Sequence, residues 1–281
     1  MSKTEMERDM EKKIAFIGTG AMGGAILAAA CHGIDPKQIY LTDAVPDRAE
    51  ALAQKYGCHA VATNREAAEI ADMILLCVKP QTGAQVLAEI APLLQKKPKM
   101  LSSILAGVTI NTLRSWIGDE NAAYPIIRMM PNTPALIGKG LMLLTCDNAA
   151  SEADKTTLLA LIAPCGESEW LDEKLFDQAT ALSGCTPAFA YMFIEALADG
   201  GVSVGVPRAL AMQFAARAVY GAAAMVLETG EHPGALKDMV CSPGGSTIAG
   251  VEALEDSGFR RAAMQAIKQA AKRNAELGDM K

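Results

Sequence analysis

Aromatic residues and histidines are scarce in this sequence. Aromatic side chains make up 5% of the 281 residues and hydrophobic residues 51%, so the core must be mainly aliphatic, with alanine and methionine filling gaps. The three histidines (32, 59 and 232) have no metal-ligand spacing with one another or with the seven cysteines, so we expect no metal site. The cysteines are odd in number and form no Cys-x-x-Cys pair, which indicates reduced thiols.

A basic charge excess and a targeting segment are also missing. The net charge is −6, so the sequence lacks the basic footprint of a nucleic-acid-binding protein. Residues 1–13 are charged and contain no apolar run, so we expect no signal or transit peptide. Gln213 and Arg217 interrupt the apolar stretch 209–227, which favours a helix in a core or subunit interface over a membrane span. We predict a cytoplasmic protein with no nucleic-acid or membrane partner.

Short aliphatic runs alternate with amphipathic stretches along the first half of the chain. This alternation is typical of βαβ units and predicts an α/β domain with a parallel sheet over residues 12–164. The predicted strands are residues 14–17, 39–42, 73–78, 100–104, 125–129 and 141–146, and the predicted helices between them include 46–56 and 84–90.

The periodicity becomes helical in the second half. One extended piece, residues 167–171, precedes helical runs over 174–182, 187–199, 207–228 and 259–277. We therefore predict an all-helical second domain over residues 165–281.

A glycine-rich segment, Gly18-Thr19-Gly20-Ala21-Met22-Gly23-Gly24, lies between the first strand and an alanine-rich helix. In a dinucleotide fingerprint the first glycine makes a tight turn, the second admits the pyrophosphate, and the third lets the helix pack on the strand. The pattern predicts a Rossmann-like domain that binds a nicotinamide dinucleotide at residues 17–23.

The choice between NADH and NADPH depends on Asp43, which closes the second strand twenty residues after Gly23. A carboxylate there can accept hydrogen bonds from the adenosine ribose, which favours NADH. Arg48 could instead pair with the 2′-phosphate of NADPH, and Asp43 could merely cap the helix that begins near Pro46. The preference stays open.

Two further loops, one with Val78-Lys79-Pro80 and one with Asn132, follow predicted strand ends. The carboxyl ends of strands in such a sheet form the ligand crevice, so both loops are candidates for cofactor contacts. Pro80 could equally begin a helix, and the prolines beside Asn132 could equally shape a turn.

The segment Ser242-Pro243-Gly244-Gly245-Ser246-Thr247 precedes a helical run over residues 248–254. Glycines allow close approach of the backbone, and free N–H groups at a helix start attract anions, so the segment predicts a carboxylate or phosphate site. An ordinary capped turn is the alternative.

Several separated motifs together resemble the pyrroline-5-carboxylate reductase family. The resemblance runs from near residue 14 to near residue 277, and the motif at 240–248 is its most specific part. The matching segments are residues 17–23, 78–80, 106–109, 128–134, 197–201 and 240–248. The sequence departs from the usual family pattern at Cys185, which adds a thiol, and at Met239, where many members carry an asparagine.

The resemblance implies reduction of 1-pyrroline-5-carboxylate to L-proline with NADPH or NADH. It also implies helical domains that intertwine as a homodimer, with five dimers forming a decamer in larger assemblies. The resemblance implies cofactor contacts at Asn64, Ile104, Leu105 and Ala106 in addition to the glycine loop and Val78–Pro80. Together with Asp43 and Asn132, which follow predicted strand ends, the predicted cofactor contacts are Ile17, Gly18, Thr19, Gly20, Ala21, Met22, Gly23, Asp43, Asn64, Val78, Lys79, Pro80, Ile104, Leu105, Ala106 and Asn132.

Substrate placement is predicted at the Ser242–Thr247 loop. We expect backbone N–H groups of Gly245, Ser246 and Thr247 to hold the substrate carboxylate, and the Thr247 hydroxyl to hydrogen-bond the ring nitrogen. Ser246 and Thr247 are therefore the catalytic candidates, and the loop is completed by Ser242 and Gly244. Glu173 is either a substrate contact or an exposed carboxylate at a helix start.

Three other functions would also use a dinucleotide-binding domain. A β-hydroxyacid dehydrogenase would use a lysine of the second domain, but no lysine lies between Lys174 and Lys237, and no histidine between His59 and His232. That gap disfavours alcohol oxidation and fits reduction of an imine, which can arrive already protonated. A reductase of a different cyclic imine and a non-catalytic dinucleotide sensor stay open.

Overall fold

The computed structural model describes residues 12–97, 99–118 and 124–279, with side chains described up to residue 276. The chain divides into two compact units. The first extends to Gly184 and takes up the chain again from Ala271, and the second is Cys185–Ala270. The divisions fall inside two long helices.

An eight-stranded sheet forms the centre of the first unit. Its spatial order is β3-β2-β1-β4-β5-β6-β7-β8; β6 and β7 are antiparallel, and every other neighbouring pair is parallel. The first six strands have the order of a dinucleotide-binding doubly wound sheet. The strands are β1 (Ile14–Ile17), β2 (Ile39–Thr42), β3 (His59–Ala60), β4 (Met73–Leu76), β5 (Met100–Ser103), β6 (Ile126–Met130), β7 (Gly140–Cys146) and β8 (Gly166–Trp170).

Helices connect the strands. Proline occupies the first turn of the helices after β2 and β4, where its missing N–H costs no hydrogen bond. The helices of this unit are α1 (Ala21–Ala30), α2 (Pro46–Tyr56), α3 (Asn64–Ile70), α4 (Pro80–Lys96), α5 (Ile110–Ile117), α6 (Glu152–Ile162) and the start of α7 (Glu173–Ser203), with short 3-10 turns at Pro36–Gln38, Thr133–Ile137 and Ala163–Cys165.

Side chains of the central strands alternate between two cores. Along β1, Ile14 and Phe16 face one core, while Ala15 and Ile17 face the other. All four are at most 1% exposed. Burial of both faces explains why these strands appear in the sequence as continuous apolar runs.

The second unit is helical. It contains the later part of α7, then α8 (Arg208–Thr229), α9 (Pro233–Met239), α10 (Ser246–Asp256) and most of α11 (Phe259–Asp279). Its buried cluster consists of Ala198, Ala211 and Ala215, with three partly buried aliphatic side chains beside it.

The predicted fold class, a Rossmann-like α/β part followed by a helical one, is confirmed, and every predicted strand forms to within two residues at its ends. The first unit extends beyond the boundary expected at residues 164 and 165. The cause is β8, which pairs in parallel with β7, for example Ser168 with Met142, and so completes the sheet.

The predicted helices over 174–182 and 187–199 are one continuous helix, α7, with Pro187 inside it. Proline has no N–H to donate to the carbonyl four residues earlier, here that of Ser183. That carbonyl accepts a hydrogen bond from Nδ2 of Asn132 at 3.1 Å instead. A side chain from another element therefore satisfies the carbonyl that Pro187 leaves free.

Candidate active site

The glycine loop joins β1 to α1 at the carboxyl end of β1. Gly18 has φ +94°, and a Cβ there would lie 2.7 Å from the carbonyl oxygen of Cys77. A Cβ on Gly23 would lie 2.4 Å from the carbonyl oxygen of Gly18. Neither position has room for a side chain, because α1 packs directly against the ends of β1 and β4. The sequence-based roles of these two glycines match the geometry.

The start of α1 is open to a ligand. Its N-cap residue is Gly20, no side chain caps it, and a Cβ on Gly20 would meet nothing within 4 Å. The first N–H groups of a helix lack intrahelical partners and attract anions. The loop therefore fits a pyrophosphate.

A cleft of about 620 Å³ opens beside this loop at the carboxyl ends of β1, β2 and β4. Part of its wall is one face of α4, which the sequence analysis did not identify; the spacing of Thr82, Gln85, Val86 and Glu89 on one helical face was the available signal. The cleft brings together seven predicted cofactor residues: Ile17, Gly18, Gly20, Asp43, Asn64, Val78 and Lys79.

Other predicted cofactor residues lie outside that cleft's lining. Thr19 and Ala21 line a neighbouring cleft along α1. Met22 packs against the core, and Pro80 is the first residue of α4.

The segment Ile104, Leu105 and Ala106 follows β5. The side chain of Leu105 is buried in the core, where a Cβ on Gly83 would lie 2.3 Å from its Cδ2. Any ligand contact from Leu105 would therefore come from its backbone.

The carboxylate of Asp43 is engaged with the protein. Its Oδ2 accepts hydrogen bonds from the N–H of Thr19 at 2.7 Å and from the Thr19 hydroxyl at 2.9 Å. Its Oδ1 accepts from the N–H of Val45 at 2.9 Å and from Nη1 of Arg48 at 3.2 Å. Burial acts to raise the pKa of Asp43, but the N–H groups of Val45 and Thr19, the Thr19 hydroxyl and Arg48 outweigh it and lower the pKa. Asp43 thus stays ionised and fixes the glycine loop to the end of β2.

Two amide side chains predicted to contact the cofactor also have protein partners. Asn64, the first residue of α3, donates from Nδ2 to Oε2 of Glu89 at 2.8 Å. Asn132 donates to Ser183 and accepts at Oδ1 from the N–H of Leu141 at 3.0 Å. Asn64 lines the cleft, whereas Asn132 ties the loop after β6 to α7 and β7.

Glu173 begins α7 and forms part of a structural ion-pair group. Its Oε1 accepts from the N–H of Ile110 and from Nη1 of Arg128, both at 2.8 Å. Arg128, which lies on β6 and is 1% exposed, also donates to Asp177 at 3.0 Å and stacks over Phe176. These contacts hold α7 on the sheet, so Glu173 has a positioning role that its sequence position alone did not reveal.

In the second unit, the Ser242–Thr247 loop leads into α10. The N–H of Gly245 donates to the carbonyl oxygen of Ser242 at 3.0 Å, so it is used within the loop rather than free as expected. Helix α10 begins at Ser246, with Gly245 as an N-cap and no side-chain cap. Ser246 and Thr247 therefore occupy the exposed first turn of a helix whose leading N–H groups are free of a capping side chain.

Titratable side chains supply little chemistry near the glycine loop. Burial raises the pKa of Cys77 to about 12, so this thiol beside Gly23 stays protonated. Among the residues that the structure describes, no group of three or more His, Cys, Asp or Glu could hold a metal ion. The arrangement is suited to binding and orienting ligands through the backbone.

Comparison with known proteins gives a matching family model for each part of the chain. Residues 173–277 match the family model described as pyrroline-5-carboxylate reductase dimerisation, and residues 13–107 match one described as NADP oxidoreductase coenzyme F420-dependent. The chain therefore contains a domain that binds a nicotinamide dinucleotide.

Similar proteins cover nearly the whole chain. A pyrroline-5-carboxylate reductase of Escherichia coli is 45% identical over 270 residues, which are 95% of this chain and 99% of that protein. The reductase structure from Coxiella burnetii has TM-score 0.86 and 30% identity over 95% of this chain and 98% of its own. That of Plasmodium falciparum, with NADP bound, has TM-score 0.84 and 30% identity over 96% and 99%. This chain is an oxidoreductase that belongs to the pyrroline-5-carboxylate reductase family.

Proposed function

We propose that this chain reduces 1-pyrroline-5-carboxylate to L-proline, with NADPH or NADH held at the glycine loop and the substrate held at the Ser242–Thr247 loop. The observation that carries the proposal is that two helices, α1 and α10, begin without a side-chain cap, each after a glycine. Free N–H groups at helix starts bind anions, and the reaction requires two, a pyrophosphate and a carboxylate. The family relationship supports the substrate assignment.

The substrate carboxylate binds the backbone N–H groups of Ser246 and Thr247. Gly244, with φ +67°, turns the chain toward α10, and a Cβ on Gly245 would lie 2.4 Å from Oγ of Ser242. Ser242, Gly244 and Gly245 therefore shape the loop, while the two residues of the first turn contact the anion.

The Thr247 hydroxyl hydrogen-bonds the ring nitrogen of the substrate and positions the C=N bond. An ordinary hydroxyl is too weak an acid to protonate the ring alone, so the proton arrives with the imine or from solvent. A bound nicotinamide supplies the hydride. Holding two reactants in a reactive geometry contributes on the order of 7 kcal/mol or more, so positioning accounts for much of the catalysis.

The second unit pairs with a second copy of itself. Its buried apolar residues are the three alanines of its cluster, while large side chains such as Phe214, Tyr220 and Leu227 of α8 are 56%, 65% and 84% exposed. Ordering a residue costs about 1–2 kcal/mol in backbone entropy, which three buried alanines cannot offset for a whole helical unit. A homodimer provides the missing core, as the match to a dimerisation family supports. Assembly of five dimers into a decamer stays a prediction.

The exposed apolar surface lies in part on two long helices, α7 and α8. By length and composition alone, α7 and α8 could cross a membrane, and 11% of the apolar stretch in each helix is buried. Burial against a partner subunit removes this surface from water without a membrane. These helices therefore need no membrane, which agrees with the cytoplasmic enzyme that we propose.

A test of the function compares oxidation of NADPH and NADH after addition of 1-pyrroline-5-carboxylate or its six-membered homologue. Cofactor oxidation with the five-membered imine is expected. If both cofactors bind without being consumed by either imine, the chain is a sensor; faster turnover of the six-membered imine would replace the proposed substrate.

The role of Thr247 is tested with Thr247→Ala. We expect turnover to fall about tenfold or more, because a hydrogen bond to a charged group contributes about 1.5–3 kcal/mol, while cofactor affinity stays unchanged. The matched control is Ser257→Ala, which removes a hydroxyl at the other end of α10, where it bonds the carbonyl of Ala253 at 2.9 Å. Wild-type turnover in Thr247→Ala would remove Thr247 from the mechanism.

A further inference from the structure

We infer that Cys31 and Cys58 form a redox-active thiol pair, a site at which a low-molecular-weight disulfide converts the two thiols reversibly into an intramolecular disulfide. Their Sγ atoms lie 3.7 Å apart, although the two residues are 27 positions apart in the sequence. Both are free thiols in this structure. The inference goes beyond the proposed function and does not depend on the substrate or on the nicotinamide cofactor.

The fold brings the two thiols together at the ends of two neighbouring helices. Cys31 is the C-cap of α1, and Cys58 follows Gly57, the C-cap that ends α2 in a left-handed conformation. Sulfur atoms 3.7 Å apart are already in contact, so the two side chains point toward each other, which is the first geometric requirement of a disulfide. Neither cysteine lies in the interior of a helix, so a rotation of either side chain leaves the helical turns intact.

Access from solvent sets this pair apart from the buried thiols. Cys31 and Cys58 are partly exposed and pack with one side against the core of the first unit. Cys77 and Cys165 are buried. Burial raises the pKa of Cys77 to about 12 and that of Cys165 to about 11, so both stay protonated. An oxidant in solution therefore reaches Cys31 and Cys58 but not these two cysteines.

The two thiols of the pair differ in how readily they lose a proton. A hydrogen bond from Cys58 lowers the pKa of Cys31 and outweighs burial, which acts to raise it. The same hydrogen bond, together with burial, raises the pKa of Cys58. Because the thiolate is the nucleophile in disulfide exchange, Cys31 attacks first and Cys58 second.

The oxidation consumes one molecule of the small disulfide. The Cys31 thiolate attacks one of its sulfurs, a mixed disulfide forms, and the other half leaves as a thiolate. Cys58 then gives its proton to that leaving thiolate and attacks Sγ of Cys31, which forms the Cys31–Cys58 bond and releases the second half. Two protein thiols lose two electrons, and the small disulfide is reduced to two thiols. An excess of small thiol reverses both steps.

The new bond links the ends of α1 and α2 that lie away from the dinucleotide cleft. Both helices begin beside that cleft, and they are 10 and 11 residues long, which at 1.5 Å per residue places their ends about 15 Å away. The disulfide therefore leaves the glycine loop unobstructed, while it restricts the unfolded chain and so stabilises the first unit. Disulfides that form transiently in a reducing compartment are typical of redox-sensing sites.

The test measures the disulfide and its effect on stability without turnover. The full-length protein is equilibrated with mixtures of reduced and oxidised glutathione, and the remaining thiols are then alkylated. In oxidising mixtures we expect mass spectrometry of proteolytic fragments to find Cys31 joined to Cys58, and in reducing mixtures to find both thiols restored. The midpoint of thermal unfolding should be about 5 °C higher for the oxidised protein than for the reduced one.

Serine variants test the pair and the order of attack. Cys58→Ser should stop at the mixed disulfide and carry one glutathione on Cys31, and neither Cys58→Ser nor Cys31→Ser should show the rise in midpoint. The matched control is Cys146→Ser, which removes another partly exposed thiol of the same unit and should keep both the disulfide and the rise.

Three results would overturn the inference: two reduced thiols in excess oxidised glutathione, a bond that joins a different pair of cysteines, or a rise in midpoint that persists in Cys31→Ser. Because no substrate or nicotinamide cofactor is present, the outcome is independent of whether the protein reduces pyrroline-5-carboxylate.

Discussion

Alanine substitutions at three glycines of the α1 segment should separate packing from cofactor binding. The glycines differ in what an added Cβ would meet. At Gly23 it would lie 2.4 Å from the carbonyl oxygen of Gly18 and 3.0 Å from Cβ of Cys77. At Gly24 the nearest atom is 3.6 Å away, an ordinary contact, and at Gly20 nothing lies within 4 Å. The three positions lie within one turn and a half of each other but predict three different results.

Gly23→Ala should lower both stability and affinity. The clash is with backbone atoms and the buried Cys77, so the loop or α1 must move, and overpacking of this kind costs about 1–3 kcal/mol. Moving the loop also moves the N–H groups that we propose bind the pyrophosphate. Gly24→Ala should bind the cofactor normally and gain about 0.5–1 kcal/mol, because alanine is favoured over glycine within a helix.

Gly20→Ala should leave stability nearly unchanged and weaken the dinucleotide. The backbone at Gly20 has φ −63° and ψ −168°, which alanine adopts freely. Loss of the glycine N-cap costs roughly as much as reduced freedom of the unfolded chain gains, about 0.5–1 kcal/mol each. The new methyl group occupies the open space beside Gly20 that we propose for the pyrophosphate, so affinity should fall about tenfold or more.

Urea unfolding and cofactor titration by protein fluorescence measure the two quantities for each variant. Affinity equal to wild type in Gly20→Ala would show that the pyrophosphate does not approach the backbone there. Unchanged stability in Gly23→Ala would refute the packing argument for the third glycine.

Two further predictions concern the scaffold. Arg128→Met should lower the free energy of unfolding by about 2–3 kcal/mol. This is less than the roughly 3–5 kcal/mol for breaking a fully buried pair, because the partners Glu173 and Asp177 are 31% and 34% exposed. Urea unfolding measures the loss against the control Arg260→Met, which breaks an exposed pair and should cost under about 0.5 kcal/mol; equal losses in the two variants would refute the prediction. Phe214→Asp should convert the dimer to monomer in light scattering, because it places a charge on the apolar face of α8; an intact dimer would exclude that face from the interface.

Much of the fold follows from short-range patterns in the sequence. Strands β1 and β4 are buried on both faces, so they appear as unbroken apolar runs, and α2 begins at a proline suited to its first turn. The last strand was harder to place. Gly166–Trp170 alternates between exposed and partly buried residues at the sheet edge, and only its pairing with β7 assigns it to the first unit. Such a pairing depends on contacts distant in sequence, which periodicity does not encode.

The candidate site was predictable where it consists of backbone and less so where it consists of side chains. Glycine has few other uses at the end of a strand before a helix, so the glycine loop was found from the sequence alone. An aspartate, asparagine or glutamate has both ligand-binding and structural uses, and sequence spacing cannot separate them. Asp43, Asn132 and Glu173 each have a full or partial set of protein partners.

These engaged side chains also explain how a backbone-based site can be selective. Peptide N–H groups bind a pyrophosphate or carboxylate without identifying the rest of the molecule, so discrimination must come from groups whose orientation is fixed beforehand. Asp43 fixes both Thr19 in the glycine loop and Arg48 in the lining of the cleft, so one buried carboxylate orders the glycine loop and a cation of the same cleft. In the sequence Asp43 resembles an NADH determinant, but all four of its hydrogen-bond donors are protein groups, so its first role is to hold the glycine loop in place.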